Sequence, residues 1–169
     1  MLLFPLLLLL QAPPLQAACP DLTGRYAIQG EDGRVFISIA QTLCERVRIQ
    51  WTVVLYGDTT STTHDLVIDN MFRSDAAWFG EPGRQLTSAS YQANQLVLIA
   101  KAPNAPEGPV RWKQLFQLLP SRDLCIVMED SLVPSATIAG RIADDTRGAE
   151  ADAARRSSFQ KTCAESKYP

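Results

Sequence analysis

Apolar and polar residues alternate along most of this chain with a period of two. Val47, Ile49, Trp51, Val53 and Leu55 occupy every second position of one segment, and that period places all five on one face of a strand. Ile37 and Ile39 alternate with Ser38 and Ala40 in the segment before it. Gly30-Glu31-Asp32-Gly33 supplies turn chemistry between two such runs. Residues 23–29, 34–40 and 46–56 therefore read as three antiparallel strands. Further along, 64–69 places Leu66 and Ile68 on one face, and 86–92 with 95–101 form a hairpin about Ala93-Asn94. Residues 110–118 alternate Val110, Trp112, Gln114 and Phe116 but carry Leu115 on the other face, the pattern of a central strand. Residues 124–129 and 136–143 complete the set, Ile138 and Ile142 flanking Gly140. The polar run 59–63 reads as a loop or an edge strand.

About eight strands with short connections predict an all-β protein: a single antiparallel barrel or a compact sandwich. There is no βα alternation and no internal repeat. The pattern changes at about residue 144. From there the chain is rich in Ala and Arg, and 150–156 has the composition of two helical turns whose apolar face is only alanine. Such a helix is marginal unless docked, so the expectation is a short helical or irregular C-terminal tail. Two connections lack any period. Residues 102–109, with Pro103, Pro106 and Pro109, form a rigid surface loop. Residues 70–84 scatter Met71, Phe72, Trp78 and Phe79 among polar residues, with Gly80, Pro82 and Gly83 stopping any long element. Such connections carry functional variation in β-proteins, although the same aromatics suit the plugging of one end of a core.

Residues 1–18, MLLFPLLLLLQAPPLQAA, have an apolar core too short to span a membrane and resemble a secretory signal. Residues 19–169 then form a single β-domain, secreted or periplasmic. Leu15-Gln16-Ala17-Ala18-Cys19 also resembles a lipoprotein box, which would leave the chain lipid-anchored through Cys19. Cys19, Cys44, Cys125 and Cys163 suit an oxidising compartment. Four cysteines allow three connectivities. Cys19–Cys44 with Cys125–Cys163 is preferred, because each bond joins neighbours and ties a chain end to the sheet. Lipidation of Cys19 would strand one thiol. A net charge of −2 with no basic run argues against nucleic acid, and a membrane is a partner only through a lipidated Cys19.

Chemistry is sparse. His64 is the single histidine. Its neighbour Asp65 points the other way on a strand, Asp69 is too far along to orient it, and no G-x-S-x-G elbow is present. His64 is expected at the surface or in a hairpin. Ser158-Phe159-Gln160-Lys161 has an S-x-x-K spacing without the companion motifs that give it meaning. Asp65, Asp69, Asp75, Glu81, Asp123, Glu129 and Asp130 fall at strand ends or loops, where carboxylates ordinarily meet water. No catalytic residue, metal site or cofactor motif is assigned.

Gly24-Arg25-Tyr26 resembles the Gly-x-Trp that opens the first strand of the lipocalin-like barrels. Tyr26 stands where that family has Trp, and the family's midway Thr-Asp-Tyr segment is absent. Arg141 is a loose match to the arginine that packs on the first-strand aromatic, and Cys163 to the tail cysteine. The resemblance implies a cup with an apolar interior that binds small hydrophobic molecules. Trp51 and Trp112 on alternating strands, and Trp78 in the 70–84 connection, are the ligand-contact candidates, with core packing as the alternative use of the first two. The expected function is a non-catalytic exported protein that binds a small apolar ligand. The alternative is a structural or inhibitor-like module of the cell envelope or secretome that binds another exported protein through 57–63 or 70–84. A hydrolase using His64 and loop carboxylates comes third.

Overall fold

The computed structural model describes residues 19–30, 33–76, 83–129, 135–142, 150, 153 and 157–160. Eleven strands appear in chain order: β1 Gly24–Gln29, β2 Gly33–Thr42, β3 Arg46–Leu55, β4 Asp58–Val67, β5 Arg73–Ala76, β6 Arg84–Gln92, β7 Gln95–Lys101, β8 Val110–Leu118, β9 Leu124–Glu129, β10 Ser135–Arg141 and β11 Ser158–Gln160. All strand pairings are antiparallel, in the order β4-β3-β2-β1-β10-β9-β8-β7-β6-β5. The path curls so that its ends meet, making a nearly closed ten-strand barrel. Ile68 bridges Ala89 in parallel, and the Asn70 N–H donates to the Ala89 carbonyl at 2.9 Å.

Against the expected strands, β5 and β11 are additional and β4 is longer, for identifiable reasons. The polar run 59–63 is the first half of β4, in unbroken register with β3 from Leu55↔Asp58 to Arg46↔Val67. Its outward residues face water, so apolar alternation is missing there. β5 and β11 are too short to show a period. β8 does lie between two partners, β7 and β9. Of the five alternating residues of β3, Val47, Ile49 and Trp51 are buried and Val53 half-buried, but Leu55 is 44 % exposed. The hairpin turns at the next residue, so Leu55 lies beyond the core. Tyr56 and Gly57 take φ of 51° and 92°, both in the left-handed region that a tight two-residue hairpin demands.

The lower end of the barrel, where β1 begins and β2 hands over to β3, is sealed by residues 19–23. Leu22 is fully buried. Its N–H donates to Gln41 Oε1, whose Nε2 donates to the Pro20 carbonyl at 2.9 Å and the Tyr91 hydroxyl at 2.5 Å. Cys19 bonds to Cys44, with an S–S distance of 2.04 Å. A sulfur in this bond carries no thioether, and such a bond is characteristic of an oxidising compartment. Cys125 is also disulfide-bonded; Cys163, Trp78 and the signal-like residues 1–18 lie outside the described residues.

Described residues of the tail lie against the outer wall of β1 and β10. Glu150 and Ala153 are helical. Glu150 pairs with Arg25 at 2.8 Å, and Ala153 is buried against Ala27, Ile142 and Phe36. The Gln29 N–H donates to Ser157 Oγ at 2.9 Å. Gly140 makes this fit possible, since a Cβ there would overlap the Ala153 carbonyl.

Candidate functional site

The inward rows of the barrel define the candidate site. Tyr26, Ile37, Ile49, Leu96, Leu98, Phe116 and Leu124 are each at most 1 % exposed, so the middle of the barrel is closed to water, while Ile68, Tyr91 and Leu118 at the lower end are half-buried. Towards the upper end, where β1 hands over to β2, the same rows become half-buried. Val35 and Val53 stand opposite one another, and Trp112 lies across the barrel on β8. Ile28 is 9 % exposed, and Thr62 is half-buried beside Trp51 on β4. Trp51 itself is buried and meets Phe116 with ring centroids 6.3 Å apart. Trp51 and Trp112 thus face the same interior.

One wall of that interior is polar. His64 is fully buried, and its Nδ1 lies 2.8 Å from Asp75 Oδ2. This contact crosses the gap between β4 and β5, where no strand ladder is formed. The surface position expected for His64 is therefore wrong. The period that joins Leu66 and Ile68 on one face also includes His64, and following it two residues back places the ring inside. Asp65 does point outwards, to Arg48 at 2.6 Å. Gln85 and Thr87 are buried next to the pair on β6, the Gln85 amide donating to Thr87 Oγ1 at 3.2 Å. Gln114 is buried on β8. A glutamine on an otherwise apolar inward row is the sequence signal that marks it.

The lower end carries the counterpart of the first-strand motif. Tyr26 donates its hydroxyl hydrogen to the Leu22 carbonyl at 2.9 Å. Arg141 sits over the Tyr26 ring, 5.9 Å from its centroid, and donates to the Thr23 carbonyl at 3.0 Å. This is the arrangement the lipocalin-like resemblance implied for Gly24, Tyr26 and Arg141. A side chain on Gly24 would press on both the Tyr26 hydroxyl and the guanidinium. Burial pushes the Tyr26 phenol above its ordinary range, with Arg141 opposing.

Hollows lined by described residues lie on the outer wall and at the seam. One of about 480 Å³ lies against the outward residues Thr42, Arg46, Arg48, Asp65 and Val67. Another of about 150 Å³ adjoins Arg25, Phe36 and Thr52, and one of about 30 Å³ lies at the seam beside Ser74 and Asp75. Among the described residues no group of three or more His, Cys, Asp or Glu side chains gathers around a point that could hold a metal ion.

No protein-family model matches the sequence, and no curated protein does. Among solved structures, the REP1-NXSQ fatty acid transporter superposes with a TM-score of 0.52 at 11 % identity, covering 73 % of this chain and 97 % of its own. At that identity the likeness concerns the fold. With the Tyr26–Arg141 packing and the ten-strand closure, it makes this chain structurally similar to the lipocalin-like small β-barrels.

Proposed function

We propose that this chain is a non-catalytic exported protein that holds a small apolar molecule in the upper part of its barrel. The observation that carries this reading is the group of apolar inward residues Val35, Val53 and Trp112 that stay half-buried at the upper end, Val35 and Trp112 packed on the buried core. Ile28, Val35, Val53 and Trp112 would surround the guest, with Trp51 as the floor. Apolar walls with a few polar groups at fixed positions are the usual composition of small-molecule sites. The similar solved structure is described as a fatty acid transporter, which agrees with an apolar guest. Trp78, in the connection between β5 and β6, is a third contact in this proposal.

Titration of the mature protein with an apolar naphthylamine dye tests it. Saturable fluorescence enhancement with quenching of tryptophan emission is expected, and Val53→Glu should weaken binding at least about tenfold by placing a charge among apolar groups. Absence of saturable binding, together with a clean ligand-free mass after native purification, would count against it. A second reading rests on the β3–β4 hairpin tip. There Leu55 is 44 % and Tyr56 84 % exposed, an apolar projection suited to another protein's surface. Retained dye binding in Tyr56→Ser separates the two.

A further inference from the structure

Gln114 is 1 % exposed, yet its Oε1 accepts no hydrogen bond from any described residue. Buried carbonyl oxygens are ordinarily paired, because a hydrogen bond surrendered to water and not replaced is destabilising. Gln114 follows Trp112 on the inward row of β8. Two residues of strand separate them by roughly 7 Å, so Gln114 lies directly below the half-buried upper interior.

The described positive charges of this barrel are outward or engaged; Lys101, half-buried at the upper end of β7, sits 4.6 Å from the Phe72 ring centroid and donates to the Pro106 carbonyl at 2.8 Å. Arg34, Arg46, Arg48, Arg84, Arg111 and Lys113 occupy the outward alternation of their strands. Arg73 and Arg141 share the inward parity but stand at the lower end, and both are engaged. Arg73 holds Asp69 at 2.5 Å, and Arg141 holds Tyr26 and Thr23. Among the described residues, His64 and Asp75 form a titratable pair on the β4–β5 wall of the interior, with the ring fully buried.

We infer that the interior selects an apolar molecule ending in a hydroxyl over one ending in a carboxylate, with Gln114 as the group that receives the hydroxyl. This rests on the binding reading above. A hydroxyl donates its hydrogen to Oε1, and it also accepts, so it suits the amide in either orientation. A carboxylate only accepts. It would enter a low-dielectric interior in which the described cations are outward or already engaged, so its lost hydration is not replaced. The guest class is thus a long-chain or polycyclic alcohol.

Displacement of the bound naphthylamine dye by dodecan-1-ol and by dodecanoate, at about pH 8 and below micelle formation, tests this on the full mature chain. The alcohol is expected to displace at least about tenfold more tightly. Gln114→Leu should shrink that ratio to within about threefold, each displacement constant being referred to the dye constant measured on the same variant. Equal or tighter binding of dodecanoate by the wild type would overturn the inference. So would an unaltered ratio in Gln114→Leu, since greater water aversion of the alcohol would then explain the whole preference. Failure of the dye itself to bind would overturn the underlying binding reading.

Discussion

Tyr26 shows how much one residue organises here. Its ring supports Arg141, its hydroxyl satisfies the Leu22 carbonyl, and its backbone pairs with Ile37 on one side and Arg141 on the other. Tyr26→Phe should cost about 1–2 kcal/mol by leaving that carbonyl without its donor, measured from the urea midpoint at about pH 8. Burial raises the phenol of Tyr26 and also that of Tyr91, the latter opposed by the Gln41 hydrogen bond. Each proton is held more tightly in the folded state than in the unfolded chain. The stability they contribute is therefore complete below about pH 10, the unfolded value, and is lost as pH rises through the folded values. The midpoint should fall in that alkaline window, and fall less steeply in Tyr26→Phe. An identical alkaline slope in the variant would show that Tyr26 has no part in it. At this scale the sequence is legible where period continues: Tyr26 and Trp51 sit inside as their rows require. His64 was obscured because its row begins in a polar run, and its partner Asp75 belongs to a segment with no period at all.

Among the elements, the seam between β4 and β5 is the weakest join of the barrel. β4 is laddered along its whole length to β3, while β5 has four residues and pairs with β6. His64–Asp75 supplies a side-chain link between the two. His64→Leu removes a buried hydrogen bond to a carboxylate and should cost about 2–3 kcal/mol. Amide exchange should quicken in β4 and β5 and stay unchanged in β2 and β7. Uniform acceleration across all four strands would show that the pair supports the whole core rather than the seam. On the opposite wall, Gly140→Ala forces Ala153 off the sheet, because the new methyl meets backbone that has no rotamer to yield. Faster exchange at Ala153 and Ser157 with protected β6 to β8 is the expected result. Nothing local in the sequence shows why Gly140 must be glycine. Its φ is unremarkable, and the reason lies in a segment thirteen residues further on.

The molecule as a whole is a barrel closed at one end by its own N-terminal segment and a disulfide. The Cys19–Cys44 bond closes a loop with a separation of 25 residues, and in the chain-entropy model such a loop is worth about 3–4 kcal/mol. The double variant Cys19→Ser, Cys44→Ser should lose that amount in denaturant unfolding. Thiol titration of the unreduced protein should find no free thiol, and a lipid mass on Cys19 would contradict the bond. What the sequence determined by itself is the class of architecture. Strand period, turn residues and the Cys19–Cys44 pairing follow from chemistry within about ten residues or from a short list of partners. The Gly24–Tyr26 motif also located the aromatic on which Arg141 rests. The tertiary structure alone decided the closure between β4 and β6, the burial of His64 against Asp75, and the seating of the tail on Gly140. It also decided which stretch of the Val47–Leu55 row is sealed and which reaches the half-buried upper end. Each of those depends on segments far apart in the chain being brought together by curvature, and a period of two records which face a residue takes without recording what that face will meet.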